Sequence, residues 1–327
     1  MAPVAGLPVE PAPAPDMGLV RVIALAATGK TLPEQARRHP GTPVPGQARK
    51  YHEYLRAHSP GATARHLPPP MPNPSASDSD ADLVHLPHSA LSAYYADGDT
   101  QARQAFLRRT FDATAVDYNR LEKLLGLGTG SWYRRGALLR AGLKPGMRVV
   151  DVGMGTGLVA SEILRITGEP ERLVGVDPSP GMMAQARLPA SVRCLEGWAE
   201  KLPLPDASAD FVVMGYALRH IADLAAAFTE FHRVLKPGGR LLVLEISRPE
   251  GRLATWALKA YMRGVVPLMA RWVARESSTP MLWRYYWDTI EACALPEAVL
   301  RTLSGVGLLN ARRDVALGVF SEYAAQR

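Results

Sequence analysis

The chain has almost no cysteine: Cys194 and Cys293 are its only two, far apart and in no metal-ligand spacing. That excludes a disulfide framework and a metal-thiolate site, and it predicts two core thiols in a reducing cytoplasm. No apolar run reaches the roughly 18 residues that a membrane span needs. The stretch from Leu19 to Ala27 has no cationic segment before it and no clean cleavage site after it, so it does not read as a signal peptide. The formal net charge of +7 comes from Lys and Arg spread along the chain, not gathered in a run, which speaks against nucleic acid. Anionic membrane surfaces and acidic small molecules stay open.

Proline is unevenly placed. Residues 1 to 75 hold 15 of the 28 prolines, among Ala, Gly, His and Arg. Such a segment buries too little apolar surface to offset its ordering entropy, so residues 1–80 are expected to be mostly disordered, with a short helix near Tyr51 to His58. Met71 is an alternative start. From about Asp82 the character changes. Leu91, Tyr94, Tyr95, Ala105 to Leu107 and Phe111 follow helical spacing, which predicts a helical cap over 81–140. Residues 141–327 then alternate strand-like and helix-like stretches, the pattern of a doubly wound, mostly parallel α/β sheet. Strands are expected at 148–152, 172–177, 191–195, 209–215 and 240–246.

One stretch dominates this region. Val149-Val150-Asp151-Val152 runs into Gly153-Met154-Gly155-Thr156-Gly157, and Leu158-Val159-Ala160 begins a helix. Glycines let the backbone approach a ligand closely, and the helix N-terminus points free N–H groups into the same space. A triphosphate loop would need Lys-Ser/Thr after the last glycine, where Leu158-Val159 stands, and a dinucleotide fingerprint would need glycine in place of Leu158. A second apolar run, Leu173-Val174-Gly175-Val176, ends in Asp177, placed to accept from both hydroxyls of an unmodified ribose.

What remains, Asp-x-Gly-x-Gly-x-Gly, resembles the first motif of class I S-adenosylmethionine (SAM) methyltransferases. The resemblance implies SAM as cofactor, with the glycines along its methionine and ribose and Asp151 orienting the loop and the ammonium. It implies a binding set of Asp151, Gly153, Gly155, Thr156, Gly157, Asp177, Pro178, Met182, Trp198, Ala199 and Tyr216. It also implies a seven-stranded sheet whose antiparallel last strand comes from a tight pair near 308–314 and 316–323. Trp198 stands where relatives carry an acid for the adenine amino group. Its indole can stack on the ring, or it can simply pack.

A narrower resemblance rests on Ala217-Leu218-Arg219-His220 and on Lys236-Pro237-Gly238-Gly239 leading to Leu244-Glu245-Ile246-Ser247. These stretches are similar to the ubiquinone/menaquinone biosynthesis C-methyltransferase family, over roughly residues 105 to 315. That implies methyl transfer to carbon of a quinol or related aromatic, with no metal. It implies Arg219 as the group that polarises the substrate oxygen and His220 as a base. The structural alternatives are that Arg219 pairs with an acid and His220 caps a helix. Tyr118, Tyr261, Tyr285, Tyr286 and Asp288 are the expected substrate pocket.

An insertion over 249–292 holds Trp256, Trp272, Trp283 and Trp287. Leu253, Ala257, Tyr261, Val265 and Leu268 follow helical spacing within it, beside Arg252, Lys259, Arg263, Arg271 and Arg275. It reads either as a lid on anionic lipid that admits a prenylated substrate or as an ordinary amphipathic cover. A cytoplasmic protein, with membrane association and a homodimer both open, is expected. Two other functions compete: a methyltransferase for another small molecule or a lipid amine such as phosphatidylethanolamine, and a non-catalytic SAM-binding or assembly protein. A nicotinamide oxidoreductase is a distant third.

Overall fold

The computed structural model describes residues 94–95, 99–125, 129–249, 251–268, 279–316 and 318–327. The expectations for residues 1–93, including the disordered segment, the short helix and the alternative start, lie outside these.

Two helices, α1 (Thr100–Leu125) and α2 (Thr129–Arg140), precede the sheet. Tyr94 and Tyr95 are in a turn, so the helical pattern begins later than their spacing suggested. The core then runs β1 (Val149–Val152), α3 (Leu158–Thr167), β2 (Leu173–Asp177), α4 (Pro180–Ala184), β3 (Arg193–Glu196), β4 (Ala209–Gly215), α5 (Leu224–Val234) and β5 (Leu235–Ile246). After it come α6 (Arg252–Ala260), a π-helical turn Tyr261–Val265, α7 (Thr279–Glu291), α8 (Pro296–Gly305), β6 (Leu309–Ala316) and β7 (Phe320–Gln326).

The seven strands lie in the order β3-β2-β1-β4-β5-β7-β6. β7 runs antiparallel to both of its neighbours, so the last strand is inserted between β5 and the edge strand β6. β7 begins four residues later than expected, because the chain turns at Gly318, whose φ of 72° suits glycine. The Lys236-Pro237-Gly238-Gly239 turn is absorbed into β5 as an irregularity between the Ala209 and Phe211 pairings.

Side-chain alternation divides the core into two layers. Val212 and Met214 of β4 and Leu241 and Val243 of β5 face Phe228 and Phe231 of α5. Phe211, Val213, Leu242 and Leu244 face Leu138 of α2 and Ile163 of α3. Each such fully buried side chain contributes roughly 1.5–3 kcal/mol. A third cluster covers one end of the sheet: Tyr95 and Leu107 pack with Met262, Tyr285, Tyr286 and Trp287.

The strand order reverses between β1 and β4. Loops that follow these two strands therefore diverge and leave a crevice, where open α/β sheets bind ligands. Cys194 is exposed, contrary to its expected place in the core, because β3 is an edge strand; Cys293 is partly buried.

Candidate functional site

The crevice holds a cavity of about 330 Å³ lined by the glycine loop, the ends of β2 and β4, the first two helices and α6. Gly153, Gly155 and Gly157 have φ of 68°, 53° and 77°. At Gly153 a Cβ would stand 2.8 Å from the Cβ of Ala217, so the first glycine is required by close approach of the β4 loop as well as by its backbone. Met182 lies under Gly155, 3.2 Å from where a Cβ would be.

Asp177 ends β2 and stiffens this loop. Its Oδ2 accepts from the Gly155 N–H and its Oδ1 from the Ser179 N–H, each at 2.8 Å. Burial pushes its pKa up to about 6 against those two hydrogen bonds. Each oxygen keeps a further lone pair, and the residue lines the cavity beside Pro178.

Helix α1 is fastened to the loop along one face. Asp112 accepts from Ser179 Oγ at 2.6 Å and from the Gly181 N–H at 2.8 Å, and Asn119 accepts from Thr156 Oγ1 at 2.6 Å. One turn on, Glu122 accepts from Arg134 Nη1 of α2 at 2.7 Å.

Asp151 is placed differently from expectation. It is fully buried with one backbone N–H, that of Ala160, beside its carboxylate, and it is not among the residues lining the cavity. The reason is strand alternation: Val150 and Val152 face one core layer, so Asp151 shares the opposite face with Val149. Burial, then the nearby charge of Asp177, pushes its pKa up to about 8.

Beyond β4 the chain turns through Tyr216, a non-glycine residue at φ 61°. Such a conformation is strained, and it persists here because the Tyr216 N–H donates to Leu244 O at 2.7 Å. Tyr216, Trp198 and Ala199 all line the cavity. Trp198 also packs against the aromatic cluster, so the structure shows its packing role directly.

Arg219 and His220 follow in a short 3-10 turn. Arg219 is 3% exposed and its guanidinium pairs with Glu245 of β5, which also accepts from the Arg219 N–H at 3.1 Å. Its Nε has no partner. Burial opposes the charge, but Glu245 outweighs it and holds the pKa above that of free arginine. His220 shares a hydrogen bond of 3.3 Å between Nδ1 and Tyr285 OH, while Nε2 is buried without a partner. Burial, then the charges of Arg219 and Arg103, holds its pKa well below 6.5, so the ring is neutral near neutral pH. Both residues line the cavity. Arg219 has the acid partner that the structural alternative foresaw and reaches the cavity as well.

Tyr118, Tyr261 and Tyr286 line the cavity; Tyr285 and Asp288 do not. Tyr285 is fully buried against Tyr94 and Phe106, and Asp288 accepts from Tyr94 OH at 2.7 Å. The phase of α7 explains this, since 285 and 288 share a helix side and 286 lies about 100° away. Sequence reasoning missed Arg134 and Glu122, which both line the cavity. The run Trp132-Tyr133-Arg134-Arg135 was visible, but not that Arg134 would be buried while Arg135 is exposed and pairs with Glu162.

The insertion is also phased differently. Leu258, Tyr261 and Met262 face the cavity, whereas Leu253 and Leu268 are 74% and 58% exposed, together with Trp256 and Val265. Leu253 and Trp256 already face outward within α6, and the extra residue of the π-helical turn shifts the phase of Val265 and Leu268 after it. Arg271, Trp272 and Arg275 lie outside the described residues, as does the side chain of Trp283.

The site fits SAM. Gly153 and Gly155 expose backbone to the cavity while their missing Cβ atoms let Ala217 and Met182 pack close behind them, and Asp177 presents a carboxylate suited to a ribose diol. Among the described residues no helix is long and apolar enough to cross a membrane.

The sequence model of the ubiE/COQ5 methyltransferase family matches residues 99–319. A ubiquinone/menaquinone biosynthesis C-methyltransferase UbiE of Rubrivivax gelatinosus is 32% identical over 240 residues, covering 71% of this chain and 91% of that protein. A demethylmenaquinone methyltransferase of Deinococcus radiodurans is 32% identical over 227 residues, covering 68% and 92%. Among solved structures, phosphoethanolamine N-methyltransferase 2 of Haemonchus contortus in complex with SAM superposes with a TM-score of 0.50 at 18% identity, covering 69% of this chain and 60% of that one. That likeness is one of fold.

Proposed function

The chain belongs to the ubiE/COQ5 methyltransferase family and is a SAM-dependent methyltransferase; from that premise we propose that it methylates a ring carbon of a hydroquinone in quinone biosynthesis. The observation that carries the reading is the pairing of a neutral, partnerless His220 Nε2 with a buried Arg219 on the wall of one largely apolar cavity. The relatives' names point to the same substrate class.

SAM, when bound, supplies a methyl carbon already activated by its sulfonium sulfur. The glycine loop, Asp177, Met182 and Ala199 would hold the cofactor, with Trp198 on the cavity wall at the adenine end. What the chain must add is a nucleophilic ring carbon, and that requires the hydroxyl of the acceptor to lose its proton. His220 Nε2 takes this proton, with Tyr285 fixing the ring through Nδ1; after methyl transfer the acceptor carbon loses its own hydrogen as a proton to solvent, which restores the aromatic ring, and His220 returns its proton to the oxygen. Arg219 stabilises the resulting negative oxygen, its guanidinium oriented by Glu245 and by the face of Tyr286 at 4.8 Å. Tyr118, Tyr261 and Tyr286 enclose the ring and exclude water.

The outer side of α6 supports contact with an anionic lipid surface. Leu253 and Trp256 are exposed there and Val265 and Leu268 just after it, with Arg252 and Arg263 exposed on the same stretch of chain. An interfacial helix needs this combination of apolar and cationic side chains. A prenylated acceptor could then pass from the lipid to the cavity face of the same helix.

The test is transfer of labelled methyl from SAM by the purified protein into a lipid extract containing demethylated quinones. Label in the quinone fraction supports the reading, and label confined to phospholipid amines overturns it. For the lipid contact, co-sedimentation with anionic vesicles should fall on replacing Leu253 and Trp256 by Ser, and unchanged binding would remove that part.

A further inference from the structure

A SAM site has to recognise two ends. The nucleoside end is accounted for by Asp177 and Trp198, but the α-amino acid end carries a carboxylate and an ammonium, and charges entering a closed cavity need partners. Strand order says where that end lies. Trp198 follows β3, on one side of Asp177 at the end of β2, whereas the glycine loop and Tyr216 follow β1 and β4 on the other side. The amino-acid end therefore extends across the glycine loop toward Thr156 and Tyr216.

The charged residues that line the cavity can be assigned one by one. Arg108 pairs with Glu196 in an exposed contact. Glu200 lies beyond Trp198 and accepts from the Ala222 N–H at 2.9 Å. Arg219 is held by Glu245. Arg134 and Glu122 remain, and they stand on the required side: Asn119 holds Thr156 of the glycine loop, and Glu122 is three residues further along α1, a rise of about 4.5 Å.

The pair is built to be reached from the cavity. Arg134 is 5% exposed, yet its Nε has no partner and only Nη1 meets Glu122. A guanidinium has five donors, and here Nη1 is taken by Glu122 while Nε is left idle, so the group can take a further anionic partner. Gly130 of α2 faces the pair, and a Cβ there would collide with Glu122 Oε1 and lie 3.0 Å from Arg134 Nη1. A buried ion pair contributes little net stability, because desolvation offsets its attraction. A zwitterion placed beside it would supply each charge with a second partner.

We propose that Arg134 and Glu122 form the receptor for the amino-acid end of the cofactor, Arg134 taking the carboxylate and Glu122 the ammonium. This rests on the reading of the cavity as a SAM site. It makes the pair a set of binding residues that act on affinity and orientation and exchange no proton with the acceptor.

Two nucleosides separate this from a structural role. S-adenosylhomocysteine carries the amino-acid end, and 5′-methylthioadenosine lacks it. Calorimetric titration of the wild-type protein should show tighter binding of the first. Arg134→Gln should weaken S-adenosylhomocysteine by about 10–100-fold, the range for hydrogen bonds to charged groups. It should leave 5′-methylthioadenosine within about threefold. The double variant Arg134→Gln, Glu122→Gln leaves no unpaired buried charge; should the single variant fail to fold, the double one should show the same selective loss. Equal weakening of both nucleosides, or of neither, would overturn the proposal. If the wild-type protein binds neither nucleoside, the SAM site itself is refuted and the receptor with it.

Discussion

Arg219 and Glu245 are 3% and 1% exposed and meet across the ends of β4 and β5, where the Glu245 carboxylate takes both the guanidinium and the backbone N–H of Arg219. Removing one partner strands the other charge in the core. Glu245→Ala should cost about 3–5 kcal/mol in urea unfolding followed by circular dichroism. Glu245→Gln keeps an acceptor and should fold better, yet lose methyl transfer as Arg219 gains freedom. Equal turnover in Glu245→Gln and wild type would show that orientation of Arg219 does not matter.

His220 makes stability fall toward acid. Its folded pKa is well below the unfolded 6.5, so the unfolded chain binds the proton first as pH drops. Its contribution is therefore complete above 6.5 and is lost as pH falls from there toward the folded pKa. Unfolding free energy measured across that window should fall less steeply in His220→Asn. The same variant should lower kcat by about 10²–10⁴-fold if Nε2 is the base, with little change in SAM affinity.

Asp151 has the opposite sign. Its folded pKa is raised to about 8 from 3.8, so its contribution is complete below 3.8 and is lost as pH rises through 8. Asp151→Asn, measured without ligand, should gain on the wild type throughout that window and lead it at the alkaline end. Urea melts at several pH values would give the trend. A constant difference would mean that the carboxyl is not the titrating group.

Gly153→Ala combines a φ of 68° with a Cβ placed 2.8 Å from that of Ala217. The loop must shift, so SAM binding by calorimetry should be lost or weakened at least about tenfold while most of the fold is kept.

Asp112 is the clasp between α1 and the β2–α4 loop. Asp112→Ala leaves the Ser179 hydroxyl and the Gly181 N–H without their acceptor and should cost about 1–3 kcal/mol, with Asp112→Asn much milder. Similar losses in the two variants would show that the charge, not the acceptor, matters.

The sequence by itself determined the sheet, the glycine loop and the position of Asp177, because these depend on local chemistry. Two-residue alternation marks strands, glycine marks backbone that no other residue can follow, and an acid at a strand end falls at a fixed place in the crevice. Tertiary structure alone decided which of two neighbours faces the cavity. Tyr286 rather than Tyr285, and Arg134 rather than Arg135, follow from the phase at which α7 and α2 settle against other elements. The way α6 and its π-helical turn settle over the cavity left Leu253 and Leu268 outside and Tyr261 inside, and the edge position of β3 exposed Cys194. The pairing of Glu122 with Arg134 depends on two helices docking beside the glycine loop. Helix phase and strand neighbours are set by contacts between distant parts of the chain, and residue spacing along one segment carries no record of them.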